Sequence, residues 1–133
     1  MHKRVPACLG VLVLISLAVL AQTAAPAARS QDEAVGLGYM RTVVNAQKEY
    51  KKKHGAYATS LPALVHSGSF TKRMATSERG AYTVHFRGKP ERYSLAMTPK
   101  QFDANHRAFY VDETGKVRVE DAKPAGAESP LLK

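Results

Sequence analysis

Residues 32–54 read DEAVGLGYMRTVVNAQKEYKKKH, and the spacing inside this stretch decides the fold. At about 100° per residue, Leu37, Met40, Val43, Val44, Gln47 and Tyr50 share one face of a helix. Arg41, Asn45, Lys48 and Lys52 fall on the other face. Ser30 or Asp32 can cap the N-terminus, and Asp32 and Glu33 suit the positive end of the helix dipole. Lys51, Lys52, Lys53 and His54 crowd the last turn, where cations are favoured, and Gly55 follows as a stop. Gly36 and Gly38 each weaken the early helix by up to about 1 kcal/mol relative to Ala, so regular helix is expected from near Leu37. A helix with so narrow an apolar face needs a surface to pack on.

That surface is predicted further along the chain. Residues 56–60 form a loop, and Leu61-Pro62-Ala63-Leu64-Val65 suits a short helical turn ended at Gly68. Residues 69–79 are polar and basic, with no clear period. Residues 81–86 (AYTVHF) and 92–98 (RYSLAMT) alternate as half-buried strands do, and Gly88-Lys89-Pro90-Glu91 between them has turn chemistry. After a polar excursion at 99–106, residues 108–111 (AFYV) and 116–119 (KVRV) flank Asp112-Glu113-Thr114-Gly115, a tight-turn sequence. From Asp121 onward the chain is short of core residues, so 121–133 is expected to be a flexible tail. The expected fold class is α+β: one long N-terminal helix packed on a small antiparallel sheet of about four strands, over residues 32–120.

Towards the N-terminus the pattern changes. Residues 1–4 carry two positive charges, residues 7–21 (ACLGVLVLISLAVLA) are almost wholly apolar, and Val19-Leu20-Ala21 offers small residues for a signal peptidase. This three-part layout predicts a signal peptide at 1–21, with membrane retention of the apolar run as the lesser possibility. Residues 22–31, Ala- and Pro-rich, are expected to be a linker. Cys8, the only cysteine, lies at the beginning of the apolar run and not at its end, where a lipidated cysteine would stand. Cleavage would leave a chain with no disulfide and no thiolate ligand, in a periplasmic or secreted location. Losing Lys3 and Arg4 lowers the formal charge from +9 to +7, a balance that favours anionic neighbours such as nucleic acid or an acidic polymer.

Three segments in this order resemble the globular domain of type IV pilins and type II secretion pseudopilins. Residues 39–50 (YMRTVVNAQKEY) resemble the back half of the long pilin helix, with its R-T-x-x-x-A-Q-x-x-Y pattern. Residues 55–64 (GAYATSLPAL) resemble the G-x-Y-x-x-S-L-x-x-L loop that leaves that helix. Residues 109–118 (FYVDETGKVR) resemble the closing hairpin. The resemblance implies structural roles for Tyr50, Tyr57, Leu61, Leu64, Tyr110 and Gly115: Tyr57 and Leu61 fold the loop onto the helix, Leu64 covers the helix end, and Gly115 permits the hairpin turn. It implies assembly and display, with a protein partner in the envelope or secretion system. The Gly-Phe junction of a prepilin leader and the Glu of the apolar helix are lacking, and Pro26 interrupts any helix running into Asp32. The expectation is therefore a pilin-like domain behind an ordinary secretory signal, and a membrane contact only if the signal segment is retained.

Catalytic patterns are not evident. His54, His85 and His106 have no His, Cys or Asp at the spacings that metal sites use. Asp112-Glu113 and Glu120-Asp121 are adjacent pairs, which strand geometry points to opposite faces. No G-x-S-x-G, P-loop or dinucleotide signature occurs. A non-enzymatic chain with no cofactor is expected. The candidate anion-binding residues are Lys51, Lys52 and Lys53 at the helix end, Lys72 and Arg73 in the following loop, and Arg87, Lys89 and Arg92 around the first hairpin turn. Arg79 is a further basic residue of that loop, and Tyr57 and Phe70 offer stacking surfaces nearby in sequence.

Overall fold

The computed structural model describes residues 28–133, so the expected signal peptide and residues 22–27 of the expected linker lie outside the described residues. Helix α1 (Gln31–His54) starts where Ser30, in extended conformation, accepts a hydrogen bond from the Glu33 N–H at 3.2 Å. It ends at Gly55, whose N–H returns to the Lys51 carbonyl at 2.8 Å. The helix is regular through Gly36 and Gly38 and does not wait for Leu37, because its first turn is fixed by the Ser30 cap and by the buried Glu33. Its buried arc is also wider than the apolar stripe of the sequence. Tyr39 and Ala46 are buried beside Leu37, Met40, Val43 and Gln47, whereas Val44 and Tyr50 sit at the margin.

Two short 3-10 turns follow, Pro62–Leu64 and Lys72–Met74, and then five strands. These are β1 (Glu78–Arg79), β2 (Tyr82–Lys89), β3 (Arg92–Pro99), β4 (Ala108–Asp112) and β5 (Arg118–Glu120), paired antiparallel in chain order. Alternation puts Tyr82 and Val84, then Tyr93, Leu95 and Met97, then Phe109 and Val111 on the helix side, where all are buried. The other face carries Thr83, His85, Arg87, Ser94, Ala96, Thr98 and Tyr110, none of them in the core cluster. The result is a two-layer α+β domain with one core between helix and sheet.

Three expectations are corrected. The sheet has five strands, since β1 forms within the stretch without a period: Arg79 pairs with Tyr82 across Gly80-Ala81 and lays its guanidinium 4.4 Å from the Tyr39 ring centre. The first long hairpin turns at Pro90-Glu91, and Gly88 and Lys89 belong to β2, opposite Tyr93 and Arg92. Gly88 is needed inside that strand, because a Cβ there would stand 2.6 Å from the Ala58 carbonyl oxygen and 2.7 Å from the Thr59 Cα. Residues 121–133 are not loose: the Val119 N–H bonds to the Pro130 carbonyl and the Leu132 N–H to the Val117 carbonyl, both at 2.9 Å. Arg118 Nη1 donates to the Ser129 carbonyl at 2.8 Å, so the edge of β5 is covered by the returning chain. Among the described residues no helix is long and apolar enough to cross a membrane.

Gln47 joins the layers. Fully buried, it donates through Nε2 to the Ala58 carbonyl at 3.0 Å and accepts the Ala58 N–H on Oε1 at 2.8 Å. One amide thus satisfies both backbone groups of a buried loop residue 11 positions away. Replacing it by Leu roughly keeps the volume but removes the amide and strands two buried polar groups, each costing about 1–3 kcal/mol. Gln47→Leu is therefore expected to destabilise the domain by about 2–6 kcal/mol in urea unfolding.

Candidate anion-binding surface

The fold separates the eight candidate residues into two places. Lys51, Lys52 and Lys53 end α1, and the loop beyond them crosses the β2–β3 hairpin, where the Tyr57 N–H bonds to the Pro90 carbonyl at 2.9 Å. Lys89 and Arg92 face each other at the base of that turn, with Arg87 one step back on the outer side of β2. Lys51 Nζ lies 4.5 Å over the Tyr57 ring, and Tyr57 meets Tyr93 edge-on at 5.1 Å. Helix end and hairpin thus bring Lys51, Lys52, Lys53, Arg87, Lys89 and Arg92 to one end of the molecule. Lys72 and Arg73 lie elsewhere, on the 3-10 turn held near mid-helix by a bond from the Tyr39 hydroxyl to the Met74 carbonyl at 2.9 Å. Tyr39 and Lys51 are 12 residues apart on one helix, or about 18 Å. Phe70 is buried and is no stacking surface.

Electrostatically the grouped cations are nearly all unpaired. Among the described residues only Lys52 of the eight forms an ion pair, with Glu49 at 3.3 Å. Arg87, Lys89 and Arg92 border an open groove of about 630 Å³ whose other side carries Asp112 and Glu113, with Ser94, Tyr93 and Tyr110 between. Arg87, Ser94 and Asp112 stand in register across three strands, so the groove itself is of mixed charge. The tip carries the three lysines, Lys89 and Arg92, with Glu91 exposed in the turn between the last two.

The residues given structural roles are placed as follows. Leu61 and Leu64 are in the core, Tyr57 packs on Tyr93, and Tyr50 is half-buried with its ring 4.1 Å from that of His54. Tyr110 points away from the helix on β4, half-exposed. Gly115 takes φ 74°, the left-handed turn that its position required. Asp112 is occupied in that turn, accepting from the Thr114 N–H and hydroxyl at 3.0 and 2.6 Å. Among the described residues no group of three or more His, Cys, Asp or Glu could hold a metal ion.

Sequence reasoning missed the strongest polar site of the domain. Glu33, completely buried, accepts from the Arg29 N–H and the Arg107 N–H, each at 2.8 Å. The Arg107 guanidinium grips the same carboxylate through Nη2 at 2.8 Å and Nε at 3.1 Å. Burial pushes the Glu33 carboxyl up, but the bonds from Arg107 and the two backbone amides outweigh it and hold the group below its usual range. Arg107 is pushed up in turn, first by its hydrogen bond to Glu33. The signal in the sequence was Ser30-x-x-Glu33, a capping-box spacing in which the Glu reaches back over the helix start. Its distant partner, 74 residues on, had none.

Breaking a buried pair by removing one member costs about 3–5 kcal/mol. Arg107→Met is expected to cost about that much at neutral pH. In this variant burial raises the Glu33 pKa, so stability is lost as pH rises through the new value. Chemical denaturation should accordingly show a smaller loss at acidic pH.

Set against protein-family models, curated proteins and solved structures, the chain matches none of them.

Proposed function

We propose that the chain is an exported, non-catalytic module of pilin-like plan that works through protein contacts in the bacterial envelope, accessory to a pilus or type II secretion machine. The observation that carries this reading is the junction of the first two pilin-resembling segments: Gln47 of residues 39–50 clasps Ala58 of residues 55–64 by both backbone groups. The third segment turns at Gly115 in the left-handed conformation. The start of α1 supports an accessory role over that of a membrane-retained minor pseudopilin. Ser30 caps the helix in extended conformation and its hydroxyl donates to the Asn105 carbonyl at 2.6 Å, whereas a fibre-forming helix would run on unbroken into its apolar half. Intact mass and N-terminal sequencing of the native protein, fraction by fraction, should find a soluble form starting near Gln22, and its deletion should reduce secretion or fibre display. A membrane-bound form keeping residues 9–20 points to the pseudopilin reading, and an unchanged phenotype sinks the accessory role.

A second reading, a module that contacts DNA or an acidic envelope polymer, is favoured by one observation: six of the eight candidate cations gather where the helix end meets the β2–β3 hairpin. Affinity for a charged polymer should fall steeply between about 50 and 200 mM salt. Neutralising Lys51 and Arg92 together should weaken binding of a DNA oligomer or heparin far more than neutralising Lys72 and Arg73. Equal losses from the two sets would reduce the effect to net charge.

A further inference from the structure

His106 holds a position that neither functional reading uses. Its Nε2 lies 2.8 Å from Asp32 Oδ2 in the first turn of α1, and its Nδ1 lies 2.8 Å from Asp103 Oδ1 in the loop between β3 and β4. Both ring nitrogens therefore face carboxylate oxygens, which only accept hydrogen bonds when ionised. A neutral imidazole carries one N–H and can satisfy only one of them; the imidazolium carries two and satisfies both. The same loop is held nearby by bonds that do not change near neutral pH. Asn105 gives its carbonyl to the Ser30 hydroxyl, and Arg107 is bound to Glu33.

We propose that Asp32, His106 and Asp103 form a pH-responsive clasp, which fastens the loop before β4 to the start of α1 while the ring is doubly protonated and lets it go when the ring becomes neutral. The groups facing His106 from each packed element favour this. From α1 there are Asp32 and, behind it, Glu33, already neutralised by Arg107. From the loop there is Asp103, which also accepts the Asn105 N–H at 2.8 Å. From β2 there is the ring of Tyr82, centred 6.5 Å away, whose hydroxyl is engaged by the Arg107 carbonyl. Arg107, next to His106 in sequence, is committed to Glu33, and the two carboxylates outweigh the desolvation that favours the neutral ring.

The hydrogen bond to Asp32, then that to Asp103, raises the His106 pKa above its ordinary 6.5. A group whose pKa is raised by folding contributes stability that is fully present below its unfolded value and lost as pH rises through its folded value. The Asp103 carboxyl is held below its ordinary 3.8, first by its bond to His106, and its share disappears as pH falls through the lowered value. The clasp is thus closed in mildly acidic solution and opens on the alkaline side. Opening is local, since Glu33 and Arg107 keep β4 against the helix throughout.

The test is a proton–nitrogen NMR titration of the histidine rings, with amide hydrogen exchange across residues 100–107, from about pH 5 to about pH 8. In the unaltered chain the His106 ring should titrate above its ordinary 6.5, and the loop amides should lose protection in step with it. Asp32→Asn should bring the titration down towards the ordinary value while the fold persists, and His106→Gln should remove the pH dependence of loop protection. A His106 ring titrating at or below its ordinary 6.5 overturns the clasp. Loop protection that is indifferent to pH, or as pH-dependent in His106→Gln as before, overturns it equally. Should His106→Gln fail to fold, the ring titration and Asp32→Asn decide the matter alone.

Discussion

One buried carboxylate sets the conditions that the rest of this domain meets. Glu33 lies out of water in the first turn of the helix, where an uncompensated charge would cost several kcal/mol. It is compensated from two directions: from the chain just before the helix, through the Arg29 amide, and from the start of β4, through the amide and guanidinium of Arg107. The Arg107 carbonyl then takes the Tyr82 hydroxyl at 2.9 Å, bringing β2 into the same network. Sheet and helix cannot shift against each other here without leaving a charge unpaired. Hydrophobic contacts, which tolerate sliding, place no such demand.

Gln47 imposes the corresponding demand about 21 Å further along the helix. Between the two polar residues lie Leu37, Met40 and Val43, packed on Leu95, Met97 and Phe109. The apolar strip supplies most of the driving force, and the polar residues at its ends select one alignment from the many that the strip would accept. Close approach of the loop to β2 follows from the second of them. Ala58, drawn onto Gln47, crosses Gly88 at a distance that leaves no room for a side chain.

The helix and strands β2 to β4 were legible because each buries one face, and a single buried face writes its period into the sequence. Gln47 could be assigned to the buried side by that period, though not to Ala58. The pairing of Glu33 with Arg107 was not legible, since Glu33 is equally well explained by the helix dipole and no local pattern points to a residue 74 positions away. The two-residue strand β1 is too short to show alternation. The segment after Asp121 is held by backbone bonds to β5 and by Ser129, contacts that its Pro- and Ala-rich composition does not encode. For the basic residues the sequence supplied the inventory but not the grouping, because Lys51 and Arg92 meet only through a loop whose path depends on Gln47 and Gly88.

The salt bridge between Arg29 and Asp121, at 3.4 Å, has a geometric meaning beyond its small energy. Together with Leu131, Leu132 and Lys133, Arg29 borders a single groove, so the chain enters and leaves the domain on one side. The tip with Lys51 and Arg92 lies at the other end of a helix about 36 Å long. The first and last described residues therefore lie side by side, at the end of the domain away from Lys51 and Arg92.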